Sequence, residues 1–217
     1  MTLLPADAHL LERYVALITR WNRRLRLTGP KDAEDVARTL VAGAFEILRF
    51  VPAAGSLIDL GSGAGIPGLL LAVMRPSLRV ALVEAMRKKA AFLEVAVGEL
   101  DLANAIVLRA RAEDLSREPE HRERYDVVTA QALAPLRVLA EYALPLLRTG
   151  GVGVFPKGER VADETAAADD ALRILGGRAE IQVPSSSTAS HVVVVRKIRP
   201  TPLEFPRRPG LPSRRPL

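Results

Sequence analysis

The stretch Ser56–Gly68 constrains the fold more than any other part of the chain. It begins with a short apolar run that is typical of a buried strand. Glycines follow at positions 61, 63, 65 and 68, and the apolar run 69–73 then indicates a helix. A strand, a glycine turn and a helix in succession bring bare backbone N–H groups to a helix N-terminus, where a ligand can bind. Glycine suits this turn because a Cβ atom would restrict both its geometry and the ligand's approach.

Two classes of ligand bind at turns of this kind. Gly63, Gly65 and Gly68 match the dinucleotide fingerprint, and Glu84 lies about 20 residues further on, where a ribose-binding acid is expected. Asp59, at the carboxyl end of the strand, favours the other class, because its carboxylate would repel a pyrophosphate. A carboxylate suits the cationic amino group and the sulfonium of S-adenosylmethionine. We therefore predict an S-adenosylmethionine site, with a nicotinamide-dependent oxidoreductase as the alternative.

Composition narrows the chemistry further. The chain of 217 residues has no cysteine and three scattered histidines, which excludes disulfides, thiolate metal sites and a cysteine nucleophile, and disfavours zinc. No apolar run reaches the length of a membrane span, and the N-terminus lacks the layout of a signal peptide. We therefore expect a cytoplasmic protein without a membrane partner or a bound metal. The net charge of +6 indicates a polyanionic partner.

Repeated strand-then-helix units predict an α/β protein with a mainly parallel, doubly wound sheet and helices on both faces. The predicted strands are 56–60, 79–83, 106–108, 126–130 and 152–155, followed by a closing antiparallel hairpin of 179–183 and 192–197. The predicted helices are about 7–25, 32–50, 69–73, 87–100, 135–147 and 162–175. We divide the chain into an N-terminal helical extension (1–54), a sheet domain (55–199) and a Pro/Arg-rich C-terminal strap (200–217).

Positive charge is concentrated in two segments. Arg23, Arg24 and Arg26 end the first helix, where they either interact with the negative pole of the helix or contact phosphate. The segment 201–217 carries prolines at 202, 206, 209, 212 and 216, which preclude a helix and favour an extended, semi-rigid chain. We predict an ordered strap over the sheet domain, anchored by Phe205 and Leu211. A disordered tail is the alternative.

Taken together, these residues resemble the ribosomal RNA small-subunit methyltransferase G family, also called glucose-inhibited division protein B. The resemblance covers nearly the whole chain, and its family-specific parts are the segments 21–28 and 205–212. It implies the class I methyltransferase (Rossmann-like) fold with two extra N-terminal helices. It also implies transfer of a methyl group from S-adenosylmethionine to N7 of a guanine in small-subunit (16S) ribosomal RNA. The N7 lone pair is unprotonated, so alignment with the methyl group suffices without a general base, and we assign no catalytic residue.

The residues and the resemblance give two sets of site residues. The glycine turn, Asp59 and Glu84 follow from the pattern itself, since an acid after the second strand can accept hydrogen bonds from both ribose hydroxyls. With the positions implied by the resemblance, the cofactor set is Asp59, Gly61, Ser62, Gly63, Gly65, Ile66, Glu84, Ala85, Met86, Ala112, Glu113 and Gln131. The RNA set is Arg38, Lys88, Lys157, Arg207 and Arg208. Without the resemblance, Glu113 would be interpreted as a solvated loop acid and Lys157 equally well as a surface lysine.

The chain departs from the family pattern at two places. The family has Arg-His-x-x-Asp-Ser in the second helix, where this chain has Arg38 followed by Thr39, Leu40, Val41, Ala42 and Gly43. After the fourth strand, Gln131 replaces the arginine of Ser-Arg-Ala. The alternative is therefore a drifted relative that binds cofactor and RNA with little or altered transfer activity. As partner we expect small-subunit ribosomal RNA or an assembling 30S particle, bound by a monomer.

Overall fold

The structure, a computed structural model, describes residues 5–29, 32–182, 184 and 191–217; the side chains of residues 5–7 and 39–45 are not among those described. The substitutions at Thr39, Ala42 and Gly43, on which the drifted alternative partly rests, therefore lie outside the described side chains. Among the helices described, none is long and apolar enough to cross a membrane.

A seven-stranded sheet organises the described residues. Its strands are β1 (Gly55–Leu60), β2 (Leu78–Val83), β3 (Ala105–Leu108), β4 (Tyr125–Thr129), β5 (Leu147–Lys157), β6 (Gly177–Gln182) and β7 (His191–Lys197). They lie in the order β3-β2-β1-β4-β5-β7-β6. The first five strands are parallel, and β7 pairs antiparallel with both β5 and β6. This arrangement confirms the predicted mainly parallel sheet with its closing hairpin.

Helices cover both faces of the sheet. They are α1 (Pro5–Asn22), α2 (Ala33–Leu48), α3 (Gly68–Met74), α4 (Arg87–Glu99), α5 (Ala112–Leu115), α6 (Leu136–Ala143), α7 (Val161–Ala166), α8 (Asp169–Leu175) and α9 (Leu211–Arg214). Leu57 belongs to the core formed with α1–α4, whereas Ile58 belongs to the core formed with α5, α6 and α8. Successive side chains of a strand point to opposite faces, so one apolar strand supplies both cores. The N-terminal helices thus share a core with the sheet, and the domain boundaries at 54 and 200 stay predictions.

Side-chain hydrogen bonds set the ends of the two N-terminal helices. Asp32 caps α2, its carboxylate accepting the N–H of Asp35 at 2.8 Å. The first helix ends at Asn22, three residues before its predicted end. The Asn22 side-chain oxygen accepts the N–H groups of Leu27 at 2.9 Å and Thr28 at 3.2 Å. An asparagine that bonds local backbone competes with helix continuation, which explains the early turn.

The segment between β4 and β6 differs most from the prediction. Helix α6 ends at Ala143, and β5 already begins at Leu147, whereas the predicted helix and strand were 135–147 and 152–155. Gly150 and Gly151, predicted to separate the helix from the strand, therefore lie inside the strand. The register of β4 against β5 shifts there, and Gly150 has a φ of +84°. The glycines lie in this irregular part of β5, and the pairing of β5 with β4 continues on both sides of it. The predicted helix 162–175 is instead two short helices, α7 and α8.

The C-terminal segment is held against the sheet domain by hydrogen bonds. The Arg122 guanidinium donates to the carbonyl oxygens of Phe205 at 2.8 Å and Thr201 at 3.0 Å. Phe205 packs against the core on the α6 side, whereas the other predicted anchor, Leu211, is half-buried at the start of α9. This single-turn helix contradicts the prediction that the prolines of 201–217 preclude a helix. It can form because Pro212 lies in its first turn, where proline costs no helical hydrogen bond.

Candidate active site

A cavity of about 580 Å³ opens at the carboxyl ends of β1, β2 and β4. The segments that follow β1, β2, β3 and β4 form most of the cavity wall. The loop between α1 and α2 forms one side of it. Most of the predicted cofactor residues line it: Gly61, Ser62, Gly63, Ile66, Glu84, Ala85, Met86, Ala112, Glu113 and Gln131. Asp59 and Gly65 are not in its lining. The carboxyl edge of a parallel sheet is where such ligands bind.

The turn after β1 depends on its glycines. Gly61, Gly63 and Gly65 have φ angles of +65°, +54° and +88°, which side chains with a Cβ atom adopt only under strain. A Cβ atom on Gly61 would lie 2.6 Å from Leu133 Cδ1, across the cavity wall. On Gly63 it would meet only the carbonyl oxygen of Gly61, at 3.7 Å. A side chain at position 61 would therefore both collide with Leu133 and strain the backbone, whereas one at position 63 would only strain the backbone.

Glu84 links the glycine turn to the end of β2. Its side chain is 6% exposed, and its two oxygens accept the N–H of Gly63 at 3.1 Å and that of Met86 at 2.8 Å. Each carboxylate oxygen has two lone pairs, so one on each remains for a ligand. A fixed acid with free lone pairs on the cavity wall fits the two hydroxyls of a ribose.

Glu113 is the second carboxylate of the wall. It lies on α5 and is 5% exposed, so it is not the solvated loop acid that local sequence alone would indicate. Gly210 of the C-terminal segment donates its N–H to Glu113 at 3.1 Å. Tyr142 also lines the cavity, and burial raises the pKa of its phenol. A neutral phenol and an oriented carboxylate therefore face the same space.

Asp59 does not contact the cavity, which corrects the prediction of a direct contact with the cofactor. The residue is fully buried, with Thr129 donating to one carboxylate oxygen at 2.7 Å. Its other oxygen has no hydrogen-bond partner among the described residues and would lie 2.8 Å from a Cβ atom placed on Gly68. Burial raises the pKa of Asp59 to about 6, and the Thr129 hydrogen bond opposes this shift. Asp59 thus lies beside the glycine turn, near Gly68, and does not line the cavity.

Gly65 likewise lies behind the turn. A Cβ atom there would collide with the side chain of Leu69 and lie 2.8 Å from the Tyr14 hydroxyl. Tyr14 is fully buried and donates to the Ala64 carbonyl oxygen at 2.6 Å. Gly65 therefore permits close packing between the turn and α1 and does not line the cavity.

Two residues of the predicted RNA set are already engaged within the protein. Lys157 has a side chain only 10% exposed, and its Nζ donates to Glu164 at 2.6 Å and to the Ala134 carbonyl oxygen at 3.2 Å. Arg207 pairs with the buried Glu141 through two donors, Nε at 2.9 Å and Nη2 at 2.6 Å. Both cations therefore form ion pairs within the protein, and their contacts with RNA stay predictions.

The other three residues of that set are exposed. Arg38 pairs with Asp35 one turn away on α2. Lys88 lies in the first turn of α4, and Arg208 in the C-terminal segment. Their RNA contacts stay predictions, and Lys88 borders a second cavity described below.

Several residues of the cavity were not predicted. They include Leu27, Thr28, Gly29, Lys89, Leu133 and Tyr142. The first three belong to the α1–α2 loop, in which the N–H groups of Leu27 and Thr28 donate hydrogen bonds to Asn22. Asn22 is part of the family-specific segment 21–28. The signal was therefore present in the sequence, but it gave no indication that the loop closes over the carboxyl edge of the sheet.

The strand order, the antiparallel β7 and the cavity at the carboxyl edge together define the class I methyltransferase fold. The structure aligns with MtNAS in complex with S-adenosylmethionine at a TM-score of 0.59 and 18% identity, over 89% of this chain and 78% of that one. It aligns with precorrin-6y C5,15-methyltransferase from Geobacter metallireducens at a TM-score of 0.52 and 14% identity, over 79% and 90% of the two chains. At this identity the likeness concerns the fold alone.

Sequence comparison identifies the family. The family described as rRNA small subunit methyltransferase G (GidB) matches residues 7–193. Ribosomal RNA small subunit methyltransferase G of Roseiflexus sp. (strain RS-1) is 48% identical over 210 residues, covering 94% of this chain and 89% of that protein. The chain belongs to the rRNA small subunit methyltransferase G family, which confirms the resemblance seen in its sequence.

Proposed function

We propose that this protein transfers the methyl group of S-adenosylmethionine to N7 of a guanine in small-subunit (16S) ribosomal RNA. Family membership supports the substrate class. The observation that carries the cofactor assignment is Glu84, a buried acid fixed by two backbone N–H groups beside a glycine turn with positive φ angles. The same arrangement would favour the binding of any ligand that contains a nucleoside.

Each wall of the cavity has a role in this proposal. Glu84 would accept the ribose hydroxyls, and the apolar atoms of Ala85, Met86 and Ala112 would flank the base. The turn from Gly61 to Gly63 would lie against the amino-acid part. When bound, S-adenosylmethionine supplies an electrophilic methyl group on a sulfonium. The protein's own contribution is to hold and orient that group, to exclude water and to admit the guanine.

No protein base is needed for the transfer, because N7 of guanine already has a free lone pair. Holding two reactants in line can supply much of the rate enhancement. The major groove of A-form RNA is too narrow for side chains to reach N7, so the target must be unpaired or distorted. We further propose a monomer that acts in the cytoplasm on ribosomal RNA, free or within an assembling 30S particle.

Methyl transfer with mapping of the product tests this function. Small-subunit ribosomal RNA from cells that lack the protein would be incubated with the purified chain and tritiated S-adenosylmethionine, and chemical cleavage at N7-methylguanosine would locate the product. We expect one methylated guanine. Binding of cofactor and RNA without transfer would support the drifted alternative. Calorimetric binding of NAD in place of S-adenosylmethionine would contradict the cofactor assignment.

A further inference from the structure

A second cavity, of about 570 Å³, lies where the end of α1 meets the start of α4. We call it the basic cavity and define it by Trp21, Arg23, Arg24, Arg87 and Lys88. Arg20, Leu25 and Ala91 complete its lining. The sequence prediction left open whether Arg23 and Arg24 serve the helix end or contact phosphate. It also named Trp21, with Phe155 and Tyr142, as a candidate platform for base stacking, although a place in the core was favoured for each.

The cations of the basic cavity are largely uncompensated. Arg20 forms an ion pair with Glu99 at 2.6 Å. Arg23, Arg24, Arg87 and Lys88 are exposed, and within the described ranges none of them forms an ion pair. Arg23 and Arg24 directly follow α1, whereas Arg87 and Lys88 begin α4, and no acid is among the described residues that line the cavity. These four cations create a local positive potential that attracts a polyanion.

One aromatic side chain lines the basic cavity and packs against the core. Trp21 is half-buried and meets Phe92 edge-on, with ring centroids 5.6 Å apart and an interplanar angle of 66°. Trp21 and Leu25 both pack against the core on the α1 side. A cavity lined by an aromatic ring and several cations has the chemistry of a nucleotide site, since a base can stack on the ring while arginines contact the phosphate.

The basic cavity and the candidate active site share two short segments of chain. In the α1–α2 loop, Leu25 lines the basic cavity and Leu27–Gly29 line the active site. At the start of α4, Arg87 and Lys88 line the basic cavity, whereas Lys89 lines the active site. One strand of nucleic acid can therefore enter both cavities by passing over these segments.

We propose that the basic cavity binds an unpaired nucleotide of the same RNA strand whose guanine enters the active site. The base stacks on Trp21, and the flanking phosphates contact Arg23, Arg24, Arg87 and Lys88. The nucleotide is unpaired because a base within a helix already has both faces stacked. This inference rests on the proposed function and adds a second point of recognition that selects single-stranded RNA next to the target.

Trp21 provides a direct test, because it is the only tryptophan of the chain. Its fluorescence would be followed while a short single-stranded RNA, made of uridines with one guanine, is titrated into the full-length protein. We expect saturable quenching. In the Arg24→Ala/Arg87→Ala variant the quenching weakens, and the slope of log affinity against log salt falls by about 1.4, or about 0.7 per lost phosphate contact.

The matched control is Arg79→Ala/Arg178→Ala, which removes two exposed arginines that line neither cavity. We expect the control to show the same quenching as the parent protein. We also expect the parent, the cavity variant and the control to have the same melting temperature and the same affinity for S-adenosylmethionine. The inference is overturned if the cavity variant binds RNA with the control's slope and quenching. It is also overturned if adenosine monophosphate or inorganic phosphate quenches Trp21 at lower concentration than the RNA, since the site would then serve a free anion.

Failure of the proposed function would be distinct from failure of this inference. A parent protein that neither binds the oligonucleotide nor methylates ribosomal RNA removes both. The parent protein could instead methylate ribosomal RNA, while the Arg24→Ala/Arg87→Ala variant transfers methyl groups and binds RNA as well as the control. That result would contradict only the proposed role of the basic cavity.

Discussion

The backbone N–H of Gly210 donates a 3.1 Å hydrogen bond to the carboxylate of Glu113. This contact joins the C-terminal segment to the wall of the candidate active site. Three residues before Gly210, Arg207 pairs with Glu141, which lies beside the cavity residue Tyr142 on α6. The segment predicted as an RNA-binding strap therefore also supports two elements that form the cavity.

The first prediction concerns the ion pair of Arg207 with Glu141. The Glu141 side chain is 1% exposed, so Arg207→Met would leave a buried carboxylate without its cation. Breaking a buried pair in this way costs about 3 kcal/mol, at the low end of the usual range because the Arg207 side chain is 22% exposed. Urea denaturation measures the loss. Arg208→Met, at the exposed neighbour, should change the free energy of unfolding by less than about 0.5 kcal/mol.

The double variant Glu141→Met/Arg207→Met separates loss of an ion pair from loss of packing. It removes both charges together, so it should recover part of the stability lost in Arg207→Met. Recovery is incomplete because the backbone N–H of Arg207, which donates to Glu141 at 2.7 Å, also loses its acceptor. If Arg207→Met is no less stable than Arg208→Met, the guanidinium is free to contact RNA and the structural role is contradicted.

The second prediction concerns Lys157. Glu164 accepts both the Lys157 ammonium at 2.6 Å and the N–H of Leu136 at 2.7 Å, which fixes the segment carrying Gln131 and Leu133. Lys157→Met should therefore lower the melting temperature and weaken S-adenosylmethionine binding, measured by calorimetry. Glu164→Gln retains an oxygen acceptor and should have the smaller effect. Weaker RNA binding with unchanged melting and cofactor affinity would instead restore the sequence-based assignment of Lys157 to RNA.

The third prediction concerns the pH dependence of stability through Asp59. Burial raises its pKa from 3.8 to about 6, so folding favours the protonated form. The stabilisation is complete below pH 3.8 and is lost as the pH rises through about 6. At about 1.4 kcal/mol per pKa unit, the total change is about 3 kcal/mol.

Asp59→Asn isolates this contribution, because other titrating groups remain in both proteins and cancel in the difference. The stability of the variant relative to the parent should rise between pH 4 and pH 6.5 and stay level above that range. The slope is diagnostic, whereas the absolute difference also contains the cost of burying an unpaired amide N–H. A flat difference curve over this range would show that Asp59 titrates normally in the folded protein.

The fold and much of the site followed from the sequence because they depend on local patterns. Glycines at 61, 63 and 65 occur where the chain needs positive φ angles, and the acid after β2 reaches the turn because parallel strands end at one edge. The same local reasoning places Asp59 beside the turn. Its direction was missed, because the alternation of strand side chains turns Asp59 to the Leu57 face, toward α1 and α3.

The roles of Lys157 and Arg207 could not be predicted because their partners are distant in the sequence or carry no spacing signal. Glu141 is 66 residues before Arg207, and Glu164 lies on the separate helix α7. A basic residue in a sequence indicates a polyanionic partner until an acid is found beside it in the structure. The tertiary structure supplies that acid in both cases.

The central claim is that the glycine turn and Glu84 form the S-adenosylmethionine site, and calorimetric titration of Gly63→Val tests it most directly. Gly63 has a φ of +54°, so a β-branched residue there strains and distorts the turn. The control is Gly98→Val, at a position on α4 where an added Cβ atom meets nothing within 4 Å. Glu84→Gln provides a second variant should Gly63→Val melt at a much lower temperature. We predict no detectable binding by Gly63→Val at concentrations that saturate the parent and Gly98→Val, and clear weakening by Glu84→Gln. Parent-like affinity in both site variants would contradict the assignment.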